Sequence, residues 1–293
     1  VGKGKFYKRE LGRFNLLKFD LHYHANIFRL SPDKIRTRME QHKQSIQKSE
    51  IDFIASTEHA YKDPLTAYLY LKEAVNDLET AVIPGIEALT KEGIDIIFLY
   101  TDEESLRLAL KSLKPFGWKV SEAQALVRDT NGLMIVPHPR TPGHTGAANK
   151  LSEKDYQTLL SQADYVEIHN GASVLLRQLF QKKYLRPLVP SVLRKKVEDT
   201  FELPEKYRGV NLGWAVSSDA HYPKDQVYVG GTHFDITAPE TYFEFLKRRI
   251  RFEPHQVSSS PSMIPTLLKN GLCVFLEALL KKHYKLFLQS SKL

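Results

Sequence analysis

Lys18-Phe19-Asp20-Leu21-His22-Tyr23-His24 is an apolar stretch that runs into two histidines one residue apart. In a strand, residues i and i+2 share a face, so His22 and His24 aim two imidazoles at one spot, an arrangement suited to a metal ion. A histidine by itself is more often packed or solvated than a ligand, and His-x-His also arises by chance. Here the pattern recurs: apolar, β-rich runs end at Glu58-His59, Glu87, His138, His169 and Asp219-Ala220-His221. Six strand ends therefore carry ligand-type side chains.

The segments between these runs read as helices. Ser31-Pro32-Asp33 fits an N-cap followed by proline at the first helical position, opening an amphipathic helix to about Gln47. Further helices are predicted over 64–79 and 121–130, and Asp102, Glu103 and Glu104 suit the first turn of another, at the positive end of its dipole. Residues 94–100 are apolar on both faces, which predicts a buried parallel strand. The βαβα alternation predicts a parallel sheet or barrel spanning residues 16–263 as one domain. In parallel barrels the chemistry collects at the carboxyl ends of the strands, where all these ligand-type residues fall.

The chain has 293 residues, enough for one such domain, and its 42% hydrophobic and 26% charged residues are those of an ordinary globular protein. Its net charge of +8 suits a phosphate-bearing substrate, nucleic acid or an anionic surface, although solvated basic faces explain it equally well. Much of the excess lies in the basic lead-in over 1–15 and at 182–196, 247–251 and 281–285. The single Cys273 excludes an internal disulfide framework and reads as a buried small hydrophobe. No secretory signal pattern and no long uncharged apolar run occurs, so a cytoplasmic protein without an integral membrane segment is the expectation, though the chain opens on Val1 and a segment upstream of it is open. Residues 264–288 form an amphipathic pattern. It reads as a C-terminal helix packed on the barrel, with a basic interfacial helix touching membrane or partner as the sharper alternative.

Imidazole and carboxylate ligands without thiolates suit zinc, manganese or iron, and mixed His/Asp/Glu sets are typical of hydrolytic clusters. Two ions close together hold a hydroxide and bind phosphoryl oxygens, so the natural reaction is phosphoester hydrolysis by attack of a metal-bound hydroxide. The motifs DLHYH, IASTEH, IPGIEA, VPHP, VEIHNG and SSDAH, in that order, resemble the motif series of the PHP (polymerase and histidinol phosphatase) family of metal-dependent phosphoesterases. The resemblance covers about residues 16–236. It implies an irregular seven-stranded (β/α) barrel with two or three divalent ions. By resemblance, His22, His24, Glu87 and Asp219 hold a first ion, and Glu87 bridges to a second held by His138 and His169. His59 and His221, with Glu58 beside them, belong to a third, and Asp20 orients a ligand histidine. The implied substrate is a phosphorylated small molecule, a nucleotide or a nucleic-acid end.

Two departures stand out. The Asp-His usual in the second motif is Glu58-His59, and the Asp or His that ligates a third ion some five residues after the His pair is absent from Ala25-Asn26-Ile27-Phe28-Arg29-Leu30. Arg29 at that place, and Arg140 and His144 after His138, are candidates to bind phosphate or protonate a leaving group, each weighed against plain loop polarity. His42 and His283 fall on predicted helices and read as surface residues, while Gly85, Gly230 and Gly231 read as turn glycines. The loop over 183–211, rich in proline, reads as an excursion over the barrel mouth that governs substrate choice. Beside the phosphoesterase reading stand two others: a non-catalytic metal-binding scaffold that recognises an anionic partner, and a nuclease acting on nucleic-acid ends.

Overall fold

The computed structural model describes residues 16–113, 117–141, 145–181, 210–233 and 241–258, with residues 183, 187, 191, 195 and 207 singly between them. The basic lead-in, His144, most of the excursion, and the C-terminal helix with Cys273 and His283 lie outside the described residues.

Nine strands are found among the described residues: β1 (Leu16–Tyr23), β2 (Phe53–Ser56), β3 (Ala81–Leu89), β4 (Asp95–Leu99), β5 (Leu133–Val136), β6 (Tyr165–Asn170), β7 (Gly213–Ser217), β8 (Tyr228–His233) and β9 (Glu253–Gln256). They form one sheet in the order β7-β6-β5-β4-β3-β2-β1-β8-β9, so the first seven run side by side in chain order. The sheet curls until its ends meet. At the carboxyl rim the Asp219 amide donates to the His22 carbonyl at 2.9 Å and the His24 amide to the Ala220 carbonyl at 3.1 Å. At the amino end β8 pairs antiparallel with β1, from Leu16↔His233 to Phe19↔Gly230, and the segment leading into β9 bonds to Trp214. The expected barrel of seven strands is thus present, and two strands that the motif reading did not foresee close its base.

A register shift in β1 between Asp20 and Tyr23 interrupts strict alternation along the strand. Phe19 stacks on its paired Phe53 at 4.6 Å and on Phe245 at 5.4 Å, while His22 and His24 bring their Nε2 atoms together. Tyr23 lies on the outer face, packed with Ile46, Ile54 and Leu71, and Asp20 pairs with Ile54 of that cluster. Helices cover that outer face: α1 (Pro32–Ser49), α2 (Pro64–Ala74), α3 (Glu103–Ser112), α4 (Ala123–Asp129), α5 (Ala147–Lys150), α6 (Glu153–Gln162), α7 (Gly171–Phe180) and α8 (Tyr242–Lys247). Their starts follow the sequence signals. Asp102 caps α3 by accepting from the Ser105 amide at 2.8 Å, and Asp63 caps α2 by accepting from Thr66 at 3.1 Å with Pro64 next. α2 stops at Ala74, short of the predicted residue 79, and α6 and α8 carry no signal that the motif reading used.

Three expectations are corrected. The strand over 94–100 is buried on both faces as predicted, but β4 runs antiparallel to both β3 and β5. Apolarity on both faces reports burial, not direction. The short turn from Thr90 to Ile94, with Gly93 at φ 81°, can only make a hairpin, since a parallel crossover needs a dozen residues or more. Gly85, Gly230 and Gly231 lie inside strands rather than turns. A Cβ at Gly85 would sit 3.0 Å from the Phe98 carbonyl oxygen, so the small residue allows the close approach of β3 to β4.

The third correction concerns His42, which is fully buried. With Met39, Ile46 and Ser49 it lines the inner stripe of α1, at helical spacing that the polar residue types around it disguise. Its Nε2 donates to the Ala25 carbonyl at 3.0 Å, which leaves Nδ1 to accept the Tyr23 hydroxyl. The ring is therefore a neutral strut between α1 and the end of β1. Burial pushes its pKa down to about 3. Between that value and the unfolded value near 6.5, the unfolded chain binds a proton that the native state refuses, so this group subtracts stability as pH falls through that window. His42→Ala, which leaves a buried hydroxyl and carbonyl unpaired, is expected to lower stability by about 2–4 kcal/mol at neutral pH. Urea midpoints should also show a smaller loss from pH 7 to pH 5 in the variant than in the parent protein.

Candidate metal centre

The two imidazoles at the end of β1 meet as the spacing predicts. Their Nε2 atoms are 3.1 Å apart, and both residues are completely buried. Two opposing carboxylates close the arrangement. From β3, Glu87 places Oε1 3.6 Å from His22 Nε2 and Oε2 3.6 Å from His24 Nε2. After β7, Asp219 places Oδ1 3.4 and 3.5 Å from the same two nitrogens. An ion held at about 2.0–2.1 Å in a tetrahedral site separates its ligands by about 3.3 Å, so the donor set matches the edges of such a polyhedron.

Glu87 reaches further. Its Oε1 lies 3.3 Å from His138 Nε2 and its Oε2 lies 2.7 Å from His59 Nδ1. The donors fall into overlapping groups within 4.8 Å: His22, His24 and Glu87; His22, His138 and Asp219; Glu87, Asp95 and His138; and His24, His59 and His221. The His221 ring stacks on His24 at 4.3 Å, and its Nδ1 is 3.7 Å from Asp219 Oδ1. Backbone conformation helps aim these groups, because His138 at φ 28° and Asp219 at φ 50° occupy the left-handed region, which costs about 1–3 kcal/mol for a residue with a side chain.

Other candidates sit elsewhere. His169 is outside these groups; its ring lies beside Tyr228 at 4.9 Å, and burial takes its pKa down to about 4. The register of β6 against β7 shifts between Glu167 and His169, and Glu167 is the side chain that enters the site. Glu58 stands behind His24, with Oε1 3.5 Å from Nδ1 and Oε2 accepting from the Asn26 amide at 2.7 Å. Asp20 touches no ligand imidazole. It accepts from the Ser218 amide at 3.0 Å, the Ser218 hydroxyl at 2.6 Å and Gln226 at 2.9 Å, and so fixes the backbone beside Asp219. Burial raises its pKa to about 6 against those bonds. Arg29 is exposed and stacks on Phe28 at 5.1 Å. Arg140 bonds to the Tyr207 hydroxyl, itself paired with Tyr156, so it ties the loop after β5 to α6.

The sequence reading missed Glu167, Asp95 and Asn170. Glu167 Oε1 is 3.4 Å from His22 Nδ1, while its Oε2 accepts from the His138 amide at 2.7 Å and from Asn170 Nδ2 at 3.0 Å. It thus stands at Nδ1 of the His22 ring, a contact that Asp20 does not make. An acid between valine and isoleucine in a buried strand was the signal. Asn170 also donates to Asp219 Oδ2 at 3.0 Å, linking the two acids.

Neither a family model nor a curated protein matches the chain. Solved structures do. PsfC from Pseudomonas syringae PB-5123 matches with a TM-score of 0.61 at 16% identity, over 88% of this chain and 99% of that one. The lesion-specific endonuclease PfuEndoQ from Pyrococcus furiosus matches with a TM-score of 0.52 at 13% identity, over 80% of this chain and 56% of its own. A two-domain protein from Bacteroides vulgatus, containing a predicted PHP-like metal-dependent phosphoesterase, matches with a TM-score of 0.50 at 14% identity, over 82% of this chain and 65% of its own. The fold is PHP-like. This chain therefore spans little more than half of the endonuclease. Among the described residues of the PHP-like barrel, no helix is long and apolar enough to cross a membrane.

Electrostatics at the carboxyl rim of the barrel are dominated by mutual compensation. Burial disfavours charge on His22, yet Asp219, Glu87 and Glu167 around it raise its pKa well above the usual value. His138 is likewise raised to about 9, against burial, by its bond to Glu87 and the nearby acids. Glu87 and Asp219 are held below the usual carboxylate range by the same rings, although burial opposes this. A cation entering the centre must therefore displace protons, and metal affinity should fall as pH drops from 9 towards 6. Calorimetry in buffers of differing ionisation enthalpy is expected to show release of at least one proton per chain on zinc or manganese binding at pH 7; no release would contradict the arrangement. Glu167→Gln should weaken metal binding about 10–100-fold while the fold persists, measured by competition with a chelator.

Proposed function

We propose that the protein is a metal-dependent hydrolase of phosphoric esters, working at a centre of two or more divalent cations on the carboxyl rim of the barrel. The observation that carries this reading is the single buried carboxylate of Glu87, whose two oxygens lie 2.7 to 3.6 Å from four imidazole nitrogens. A bridging acid among neutral ligands is what a centre of several ions needs. His22, His24, Glu87 and Asp219 would hold one cation. Glu87, His138 and Asp95 would hold a second, and His59 and His221 offer a third face. Divalent cations bound there supply Lewis-acid charge for phosphoryl oxygens and render a water molecule ionisable at neutral pH.

The chain's own residues set the conditions for that chemistry. Glu167 takes the Nδ1 proton of His22, and Glu58 stands at Nδ1 of His24, so each ring keeps its Nε2 lone pair for the centre. Burial of His22, His24 and Glu87 keeps bulk water from the inner side, which strengthens every charge interaction there. His221 and Asp219 are the more open members, with side chains 19% and 15% exposed, so an ester would approach from their side.

Elemental analysis and turnover of an aryl phosphate with added manganese test the reading together. The native chain is expected to retain two or three ions of zinc, manganese or iron. Glu87→Gln should lose at least one ion per chain and lower turnover by roughly a hundredfold or more. A native chain that takes up none of these metals, or a Glu87→Gln protein with full turnover, would overturn the assignment.

A further inference from the structure

A buried lysine stands behind the His24 ring. Lys62, in the turn after β2, is 6% exposed, and its Nζ lies 4.0 Å from Oε1 of the fully buried Glu58. Lysine is seldom buried so deeply unless an acid pairs with it, because the ammonium gives up its hydration. The backbone holds it there from both sides. The Ala60 amide donates to the Glu87 carbonyl at 2.9 Å, the Lys62 amide donates to the His59 carbonyl at 2.8 Å, and the next residue, Asp63, caps α2. The Tyr61 ring stacks on His59 at 5.0 Å, and the Lys62 ammonium lies 5.7 Å from the centre of the Tyr61 ring. Lys62 is thus fixed by the same turn that presents His59 to the centre.

Glu58 carries this charge to the ligands. Its Oε1 is 3.5 Å from His24 Nδ1, and its Oε2 accepts from the Asn26 amide at 2.7 Å. A carboxylate without exposed surface needs a countercharge beside it. An imidazole that gives its lone pair to a metal ion is neutral and offers none of its own, whereas the Lys62 ammonium does. We propose that Lys62 is a positioning residue of the centre: its ammonium anchors the Glu58 carboxylate, and Glu58 in turn fixes His24 with the proton on Nδ1 and the Nε2 lone pair facing the cation. A carboxylate at the far nitrogen of a ligand histidine sets its orientation and raises its basicity, so a charge that holds the carboxylate in place acts on the ion at one remove. The inference rests on the reading of the rim as a metal centre and adds the residue that steadies one of its ligands from behind.

Zinc alone is the probe. Competition with a chromophoric chelator at pH 7 reads the zinc affinity of the native chain, Lys62→Met, Lys62→Arg, Glu58→Gln and the double variant Lys62→Met with Glu58→Gln. Lys62→Met, which nearly keeps the length of the side chain and removes its charge, is expected to weaken binding about tenfold or more, while Lys62→Arg stays within about threefold of the native chain. Beside Glu58→Gln, the Lys62→Met change should add no loss beyond about twofold, because Lys62 acts through that acid. Native affinity in Lys62→Met, an equal loss in Lys62→Arg and Lys62→Met, or single losses that multiply in the double variant would each overturn the assignment. If Lys62→Met alone fails to fold, the double variant compared with Glu58→Gln still decides, since a further loss there contradicts action through Glu58. A chain whose zinc affinity depends on Lys62 but which cleaves no ester would lose the hydrolase reading alone. An active chain indifferent to Lys62→Met would lose this assignment alone, and one that binds no zinc would lose both.

Discussion

Glu87 is an anion with 2% of its surface exposed, at the meeting point of imidazoles delivered by the ends of β1, β2 and β5. A carboxylate so buried remains ionised only if positive charge surrounds it, because the penalty for an unpaired buried ion is several kcal/mol. Neighbouring acids sharpen the demand, since Asp219 and Glu167 lie within hydrogen-bonding range of the same rings. Protons on His22 and His138 satisfy it in one way, and cations between the rings satisfy it in another. Both solutions need the rings in the same place. The barrel must therefore close far enough to bring β7 against β1, and the two amide bonds between residues 22–24 and 219–220 achieve this.

What holds that closure is polar and lies just outside the ligands. Asp20, one step before the His pair, ties β1 to Ser218 and Gln226 across the seam of the barrel. Beyond the His pair, His42 anchors Tyr23 and Ala25 to α1. The two supports hold the strand before and after His22. The His22 carbonyl and the His24 amide bond to the Asp219–Ala220 segment, and the strained backbone at Asp219 and His138 is held by the bonds that their amides make.

Much of this was legible in the sequence, and the exceptions share a cause. Period-two alternation and strand-end position found His22, His24, Glu87, His138 and Asp219, because these depend only on local geometry. Strand direction at β4 was misjudged because apolarity carries no sign, whereas the length of the turn from Thr90 to Ile94 did. Glu167 was missed because the shift in pairing between β6 and β7 that separates it from His169 is a relation between two strands and leaves no mark on one. His42 was read as a surface residue because its neighbours on α1 are polar, yet its spacing from Met39 and Ile46 placed it on the inner stripe. The strands β8 and β9 carry no ligand, so a reading guided by ligands passed over them.

The two departures from the family pattern turn out to be one structural feature. The loop over 25–30 lacks the acid or histidine that would ligate a third ion, and the acid of the second motif is longer by a methylene. That extra length lets Glu58 span from the His24 ring to the Asn26 amide, with the amide of His59 at 3.2 Å and Lys62 Nζ at 4.0 Å from its Oε1. Asn26 in turn holds the His221 carbonyl. The loop that has lost a ligand is thus fastened to both strands that flank the third face, so His24, His59 and His221 stay within ligating distance of one another. Glu87 and Asp219 border that face as well, with Glu87 Oε2 2.7 Å from His59 Nδ1 and Asp219 Oδ1 3.7 Å from His221 Nδ1. The acids that compensate the buried rings of His22 and His138 therefore reach the three imidazoles of this face too, and the whole rim shares one balance of charge.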